Sequence, residues 1–267
     1  MRRLYPWWSG LLLLALVAPP AFAAERFDHG AWDALLREHV TWQRGGVAST
    51  VDYDGFSADR PALEAYLDRL GAVDAGRFQQ WPRADRLAFL INAYNAFTVE
   101  LILRQDARPA SIRDIGSIFR GPWSQRFFTL LGERRTLDEV EHDLIRGNPA
   151  LMDARIHFAV NCASVGCPAL RPQAYTGDVL DRQLDDSTRR FLSDRQRNRY
   201  QDGTLWVSSI FDWYREDFVA AAGSLGAWLA AHGDTLGVPA AARPALRDDQ
   251  LEIDFLKYDW SLNGKDR

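Results

Sequence analysis

Residues Arg155 to Pro168, RIHFAVNCASVGCP, bring together both cysteines of the chain, one of its five histidines and an asparagine beside a cysteine. A thiol, an imidazole and an amide are the parts of a nucleophilic acyl-transfer site: the thiolate attacks, the imidazole takes its proton, and an amide or carboxylate fixes the imidazole. Cys162 and Cys167 could equally be the ends of a disulfide, and closing so short a loop stabilises by only about 2 kcal/mol on chain-entropy grounds. Gly166 lets the loop bend and Pro168 stops a helix from running on through Cys167. Both readings of the pair stay open on this local chemistry.

The alternation in RIHFAVN predicts a strand over 156–160, with His157, Ala159 and Asn161 on one face. At about 3.3 Å per residue, His157 then lies roughly 16 Å from Cys162 along the chain. The base for Cys162 is therefore expected from His142, on a separate element, with Asn95 or Asn161 as orienter. Spacing alone makes His142 a solvated histidine, because Leu137, Val140, Leu144 and Ile145 form the apolar stripe of TLDEVEHDLIRG and His142 falls away from it. A papain-like order would need His232, which is expected to sit at a helix C-terminus, where the macrodipole favours a cation.

Other polar residues carry two readings each. Asn92 and Asn95 stand one turn apart in LAFLINAYNAFTVELIL. On one shared face they could clamp a neighbouring loop or line the site. His157 is a candidate ligand contact, and Arg215 in VSSIFDWYREDF either holds an anionic substrate group or belongs to a salt-bridged outer face. Zinc needs three or four protein ligands. Cys162 and Cys167 with His157 or His142 lack the close paired spacing of a finger, so no metal ligand and no cofactor are assigned.

The elements that must position these groups are mostly helical. Three- and four-residue apolar spacing predicts helices over 31–40, 61–70, 84–103 and 179–192. Shorter ones are expected over 137–146, entered through a Thr136/Glu139 capping box, and over 225–232, ended by Gly233. Strand-like pieces are brief: 127–131 with 134–137 as a hairpin, 205–208 after the Asp202-Gly203 turn, and 251–256. With no internal repeat and no βαβ rhythm, the expected fold is α+β, a helix-rich single domain over 24–267 with a small antiparallel sheet.

The first 23 residues read as a secretory signal: Arg2 and Arg3, an apolar stretch, then Ala21-Phe22-Ala23. Cleavage moves the formal net charge from −4 to −6, and the mature chain is expected in a bacterial periplasm or secreted, with no membrane span. The acidic balance argues against nucleic acid; a small-molecule, peptide or glycan ligand is the expected partner. Eight tryptophans remain after residue 23. Most are expected in the core, although exposed ones could stack on sugars or cap a cleft.

Several segments together, LINAYNAFTVELIL, LDEVEHDLIRG, DARIHFAVNCASVGCPAL, SSIFDWYREDF and KYDWSLN, resemble the bacterial secreted branch of the family known as domain of unknown function 547. The resemblance runs from about Val51 to Asn263. It implies that Asn92, Asn95, His142, His157, Asn161, Cys162, Cys167 and Pro168 occupy signature positions, and it supplies no reaction. Plant relatives carry a similar domain behind a coiled coil that this chain lacks. Two functions follow as expectations: a thiol-dependent hydrolase or acyl/peptidyl transferase with Cys162 as nucleophile, or a non-catalytic envelope binding module with a Cys162–Cys167 bridge.

Overall fold

The computed structural model describes residues 26–117 and 120–265. The expected signal segment lies outside the described residues.

The N-terminal half winds helices around one long apolar one. α1 (Gly30–His39) leads through the antiparallel pair β1 (Val40–Gln43) and β2 (Ala48–Val51) into α2 (Tyr53–Ala58), α3 (Arg60–Gly71), α4 (Ala75–Gln79) and α5 (Arg83–Leu103). Every residue of α5 from Leu87 to Ile102 is buried. An amphipathic helix could not do this; the element must be surrounded, and α2 and α3 pack on it. Although α5 is long and apolar enough to cross a membrane, it is a buried helix of the core.

The middle of the chain is irregular. A hairpin of β3 (Phe128–Leu130) and β4 (Glu133–Arg135) turns through Leu131 and Gly132, both at positive φ. Thr136 and Glu139 then form the expected capping box, side chain to backbone in both directions at 3.0 and 2.9 Å. The helix they open, Glu139–Arg146, has π geometry, with Gly147 N–H donating to the His142 carbonyl at 2.7 Å.

The expected strand over 156–160 is instead a 3₁₀ helix, Ala154–Phe158, whose entry is capped by the Asp153 carboxylate on Arg155 N–H at 3.0 Å. The alternation misleads because this segment is buried on all sides. Ile156 packs into one core and Phe158 into another, while His157 between them is also enclosed.

After the cysteine loop come α6 (Leu180–Ser193), β5 (Arg199–Gln201), β6 (Thr204–Ser208), α7 (Ile210–Trp213), α8 (Arg215–Ala222), α9 (Leu225–Ala231), α10 (Gly233–Leu236), α11 (Arg243–Arg247) and β7 (Ile253–Leu256). The fold is helix-rich α+β. Its sheets are small: two antiparallel pairs, and a three-stranded sheet in which β6 pairs antiparallel with β5 and parallel with β7.

Two hydrophobic clusters result. The larger gathers α1 to α5 and the chain as far as Leu184; the smaller gathers Phe158, Phe191, α7 to α9 and their neighbours. The C-terminal segment after β7 runs back across the cysteine loop. Gly166 N–H donates to Asp259 O, Val165 N–H to Ser261 O and Asn263 N–H to Ala163 O, at 2.8 to 3.0 Å.

Candidate functional site

Where the two clusters meet, a pocket of about 220 Å³ opens. Tyr94 of α5 and Val160 come from the first cluster's side, Ile210 and Tyr214 from the second. Cys162 and Cys167 also line it, with Tyr258 and Trp260 of the C-terminal segment opposite.

The two cysteines are joined in a disulfide, the bridge that local chemistry had left as one of two alternatives. Tyr258 donates its hydroxyl toward the pair, 3.3 Å from either sulfur, and Cys162 N–H points at Cys167 Sγ at 2.9 Å. Burial pushes the Tyr258 phenol well above its usual range, so it remains a donor. In this state Cys162 carries no thiolate. Its assignment as nucleophile needs a reduction step first.

Both helix asparagines are structural posts. Asn92 accepts from Tyr175 N–H at 3.0 Å and donates to Tyr175 O at 2.8 Å. Asn95 does the same one turn on, accepting from Asn161 N–H at 2.8 Å and donating to Ala159 O at 3.0 Å. They share a face but clamp two separate segments, and neither lines the pocket. Asn161 spans the cysteine loop: its Nδ2 donates to Pro168 O at 2.7 Å, and its Oδ1 accepts from Ala163 N–H at 2.9 Å and from Asn263 Nδ2 at 3.3 Å. Both ends of its amide are engaged in bracing the loop.

The two histidines reach the pocket in different states. His142 is partly exposed, and its Nδ1 lies 2.7 Å from Arg146 Nη1. A guanidinium can only donate, so Nδ1 accepts and Nε2 carries the proton. As held here, His142 offers the pocket a donor.

His157 is only 2 % exposed and stacks on Tyr214, ring centroids 3.9 Å apart. Its Nε2 lies 2.7 Å from Asp217 Oδ2, which also takes Arg146 Nε at 2.6 Å. Burial alone would raise the Asp217 carboxyl, but hydrogen bonds from His157 and Arg146 outweigh it and hold the pKa at about 2. Asp217 is therefore an acceptor, and Nε2 donates to it. Burial pushes the His157 imidazole down, against the pull of Asp217 and Glu141. In the neutral ring, with Nε2 donating, Nδ1 is a lone pair, enclosed and without a hydrogen-bond partner among the described residues. The helical turn over 154–158 thus places His157 in the same pocket as Cys162, where an extended strand would separate the two by roughly 16 Å.

The strongest feature that sequence reasoning missed is Glu141, next to His142. It is 5 % exposed, lines the pocket and takes hydrogen bonds from the Tyr94 and Tyr214 phenols, while its Oε1 has no hydrogen-bond partner among the described residues. Burial and then the Glu141 charge push the Tyr94 and Tyr214 phenols far above their usual range. A carboxylate buried this deeply is an expensive group to keep. The acidic run of VEHD reads as a solvated helix face, and only the π turn and the neighbouring aromatics enclose one of its members.

Aromatic rings wall the rest. Trp213 and Trp260 stack at 5.5 Å, Tyr258 sits 4.5 Å from Trp260, and Trp123 meets Trp260 edge-on at 5.8 Å. Trp213 is 47 % exposed, a large apolar group left open to solvent. Of the eight tryptophans expected mainly in the core, only Trp32, Trp81 and Trp228 are buried; Trp123, Trp213 and Trp260 form pocket wall instead. Arg215 is outside this lining. It pairs with Asp212 at 3.5 Å and covers the Phe255 ring, as the outer-face reading expects.

No curated protein and no solved structure gives a significant match to the chain. Residues 78–192 are similar to the family described as "Protein of unknown function, DUF547", a shorter stretch than the 51–263 of the resemblance; the match holds α5, the Glu139–Arg146 helix, His157 and both cysteines.

Proposed function

We propose that this is an exported binding protein whose pocket takes a small organic ligand between Trp213, Trp260 and Tyr258, with the Cys162–Cys167 bridge as part of its lining. The observation that carries this reading is the bonded state of the only two cysteines, covered by the Tyr258 hydroxyl. A pocket with aromatic walls and a few enclosed polar groups is the usual form of a small-molecule site. Export through the N-terminal signal to an oxidising compartment is part of the proposal, since such compartments maintain disulfides.

A second reading is favoured by the shared lining of Cys162, His142 and His157: a thiol-dependent hydrolase or transferase that works after reduction. The imidazole nitrogen left without a partner is then Nδ1 of His157, whereas Nδ1 of His142 is engaged by Arg146.

Alkylation separates the two. Protein isolated without reductant is treated with iodoacetamide and its intact mass measured. No adduct before reduction and two after it support the binding reading; one adduct on Cys162 before reduction overturns the bridge and favours the thiol enzyme.

A further inference from the structure

We infer that the pocket recognises a primary ammonium group carried on a short apolar skeleton; this rests on the pocket-binding reading and names its ligand class.

Two side chains more than nine-tenths buried line the pocket and hold unpaired acceptors, the Oε1 of Glu141 and the Nδ1 of His157. Both need N–H or O–H donors. These two atoms have no partner among the described residues, although the Glu141 carboxylate also takes hydrogen bonds from the Tyr94 and Tyr214 phenols, so a ligand that supplies donors completes them. An ammonium has three donors and the charge that a buried carboxylate calls for.

Charge and walls point the same way. The lining includes Asp138 and Glu141 and no lysine or arginine. Arg146 is held by Asp217, and Arg113 lies over the Trp260 ring; neither is in the lining. The faces of tryptophan and tyrosine attract cations. Trp213, Tyr258 and Trp260 supply such faces within 5.5 Å of one another. A metal cation fits less well, because among the described residues no three His, Cys, Asp or Glu side chains converge as a metal site. A quaternary ammonium would satisfy the rings but bring no N–H to Glu141 and His157. A neutral sugar would bring donors but no charge.

The test is a calorimetric titration of the intact, oxidised protein with four probes: n-butylammonium, n-butyltrimethylammonium, 1-butanol and indole. Butylammonium is expected to bind at least about tenfold more tightly than butanol, and more tightly than the trimethyl cation. Glu141→Gln should remove that advantage while leaving indole binding in place. The wild-type series decides the matter even if this buried variant does not fold. Butanol or indole binding as tightly as butylammonium overturns the ammonium assignment and leaves the pocket reading standing. If no probe, indole included, gives a binding isotherm at millimolar concentration, the pocket reading falls and the ammonium assignment with it.

Discussion

Asn95 shows how a single side chain can matter more to architecture than to chemistry. Its amide fixes Ala159 O and Asn161 N–H, the two backbone groups that lead into the cysteine loop. Asn95→Ala would leave both buried without partners, at about 1–3 kcal/mol each. A loss of roughly 2–6 kcal/mol in urea unfolding is the expected outcome; a loss below about 0.5 kcal/mol would show that the clamp is not needed.

His29 makes a second prediction. Enclosed beside Tyr66, 2.8 Å from its hydroxyl, it is held down at about 4 by burial. The unfolded chain takes up the proton near pH 6.5 and the folded chain only near 4. Stability therefore rises with pH across that window and is lost on acidification, by roughly 2–3 kcal/mol. Asp217 adds a loss of the same sign lower down, between its unfolded value near 3.9 and about 2. His29→Asn should reduce the slope between pH 6.5 and 4 in chemical denaturation, leaving the smaller dependence that buried His157 and His232 contribute with the same sign. An unchanged slope in the variant would assign the effect elsewhere.

The elements are read from sequence to different depths. The boundaries expected for α3, α5 and α6 agree with the structure within a residue or two, because their apolar spacing is regular and each has a side to bury. The capping box at Thr136 is local chemistry and also survives. The π geometry of Glu139–Arg146 and the 3₁₀ turn at His157 have no such signature: both follow from enclosure by elements far away in the chain. Functional sites often hold such departures from α geometry.

Gly166 is a place where one element constrains another. A Cβ there would lie 2.8 to 2.9 Å from carbons of the Tyr258 ring. Gly166→Ala should displace Tyr258 from the sulfurs, at a cost of about 1–3 kcal/mol from overpacking. The bridge is then expected to react several-fold faster with dithiothreitol, followed by intact mass. An unaltered rate would mean that Tyr258 does not shield it.

At the scale of the molecule, the pocket exists because two cores meet and the C-terminal segment closes over their junction. Asn263 ties that segment down, accepting from the buried Tyr53 hydroxyl at 2.7 Å and donating to Asn161 Oδ1 at 3.3 Å. Asn263→Ala leaves the Tyr53 hydroxyl without its partner, a loss of about 1–3 kcal/mol. Amide exchange should rise first at Val165, Gly166 and position 263, whose N–H groups pair along this crossing. Exchange that rises uniformly over the chain would argue against a locally opening strap.

Periodicity, caps and residue type are local, and they sufficed for the longer helices, the α+β class and the density of chemistry in 155–168, but not for most of the short helices or the turn at His157. The sequence by itself also held both fates of the cysteines without choosing between them. Tertiary structure alone decided that Asn92 and Asn95 brace loops, that His157 shares a pocket with Cys162, that Glu141 is enclosed with an unpaired oxygen, and that three tryptophans face a cavity. Burial and partnership depend on which distant segments arrive at the same place, and here residues from α5 to Trp260 must come together before a charge is costly or a ring becomes a wall.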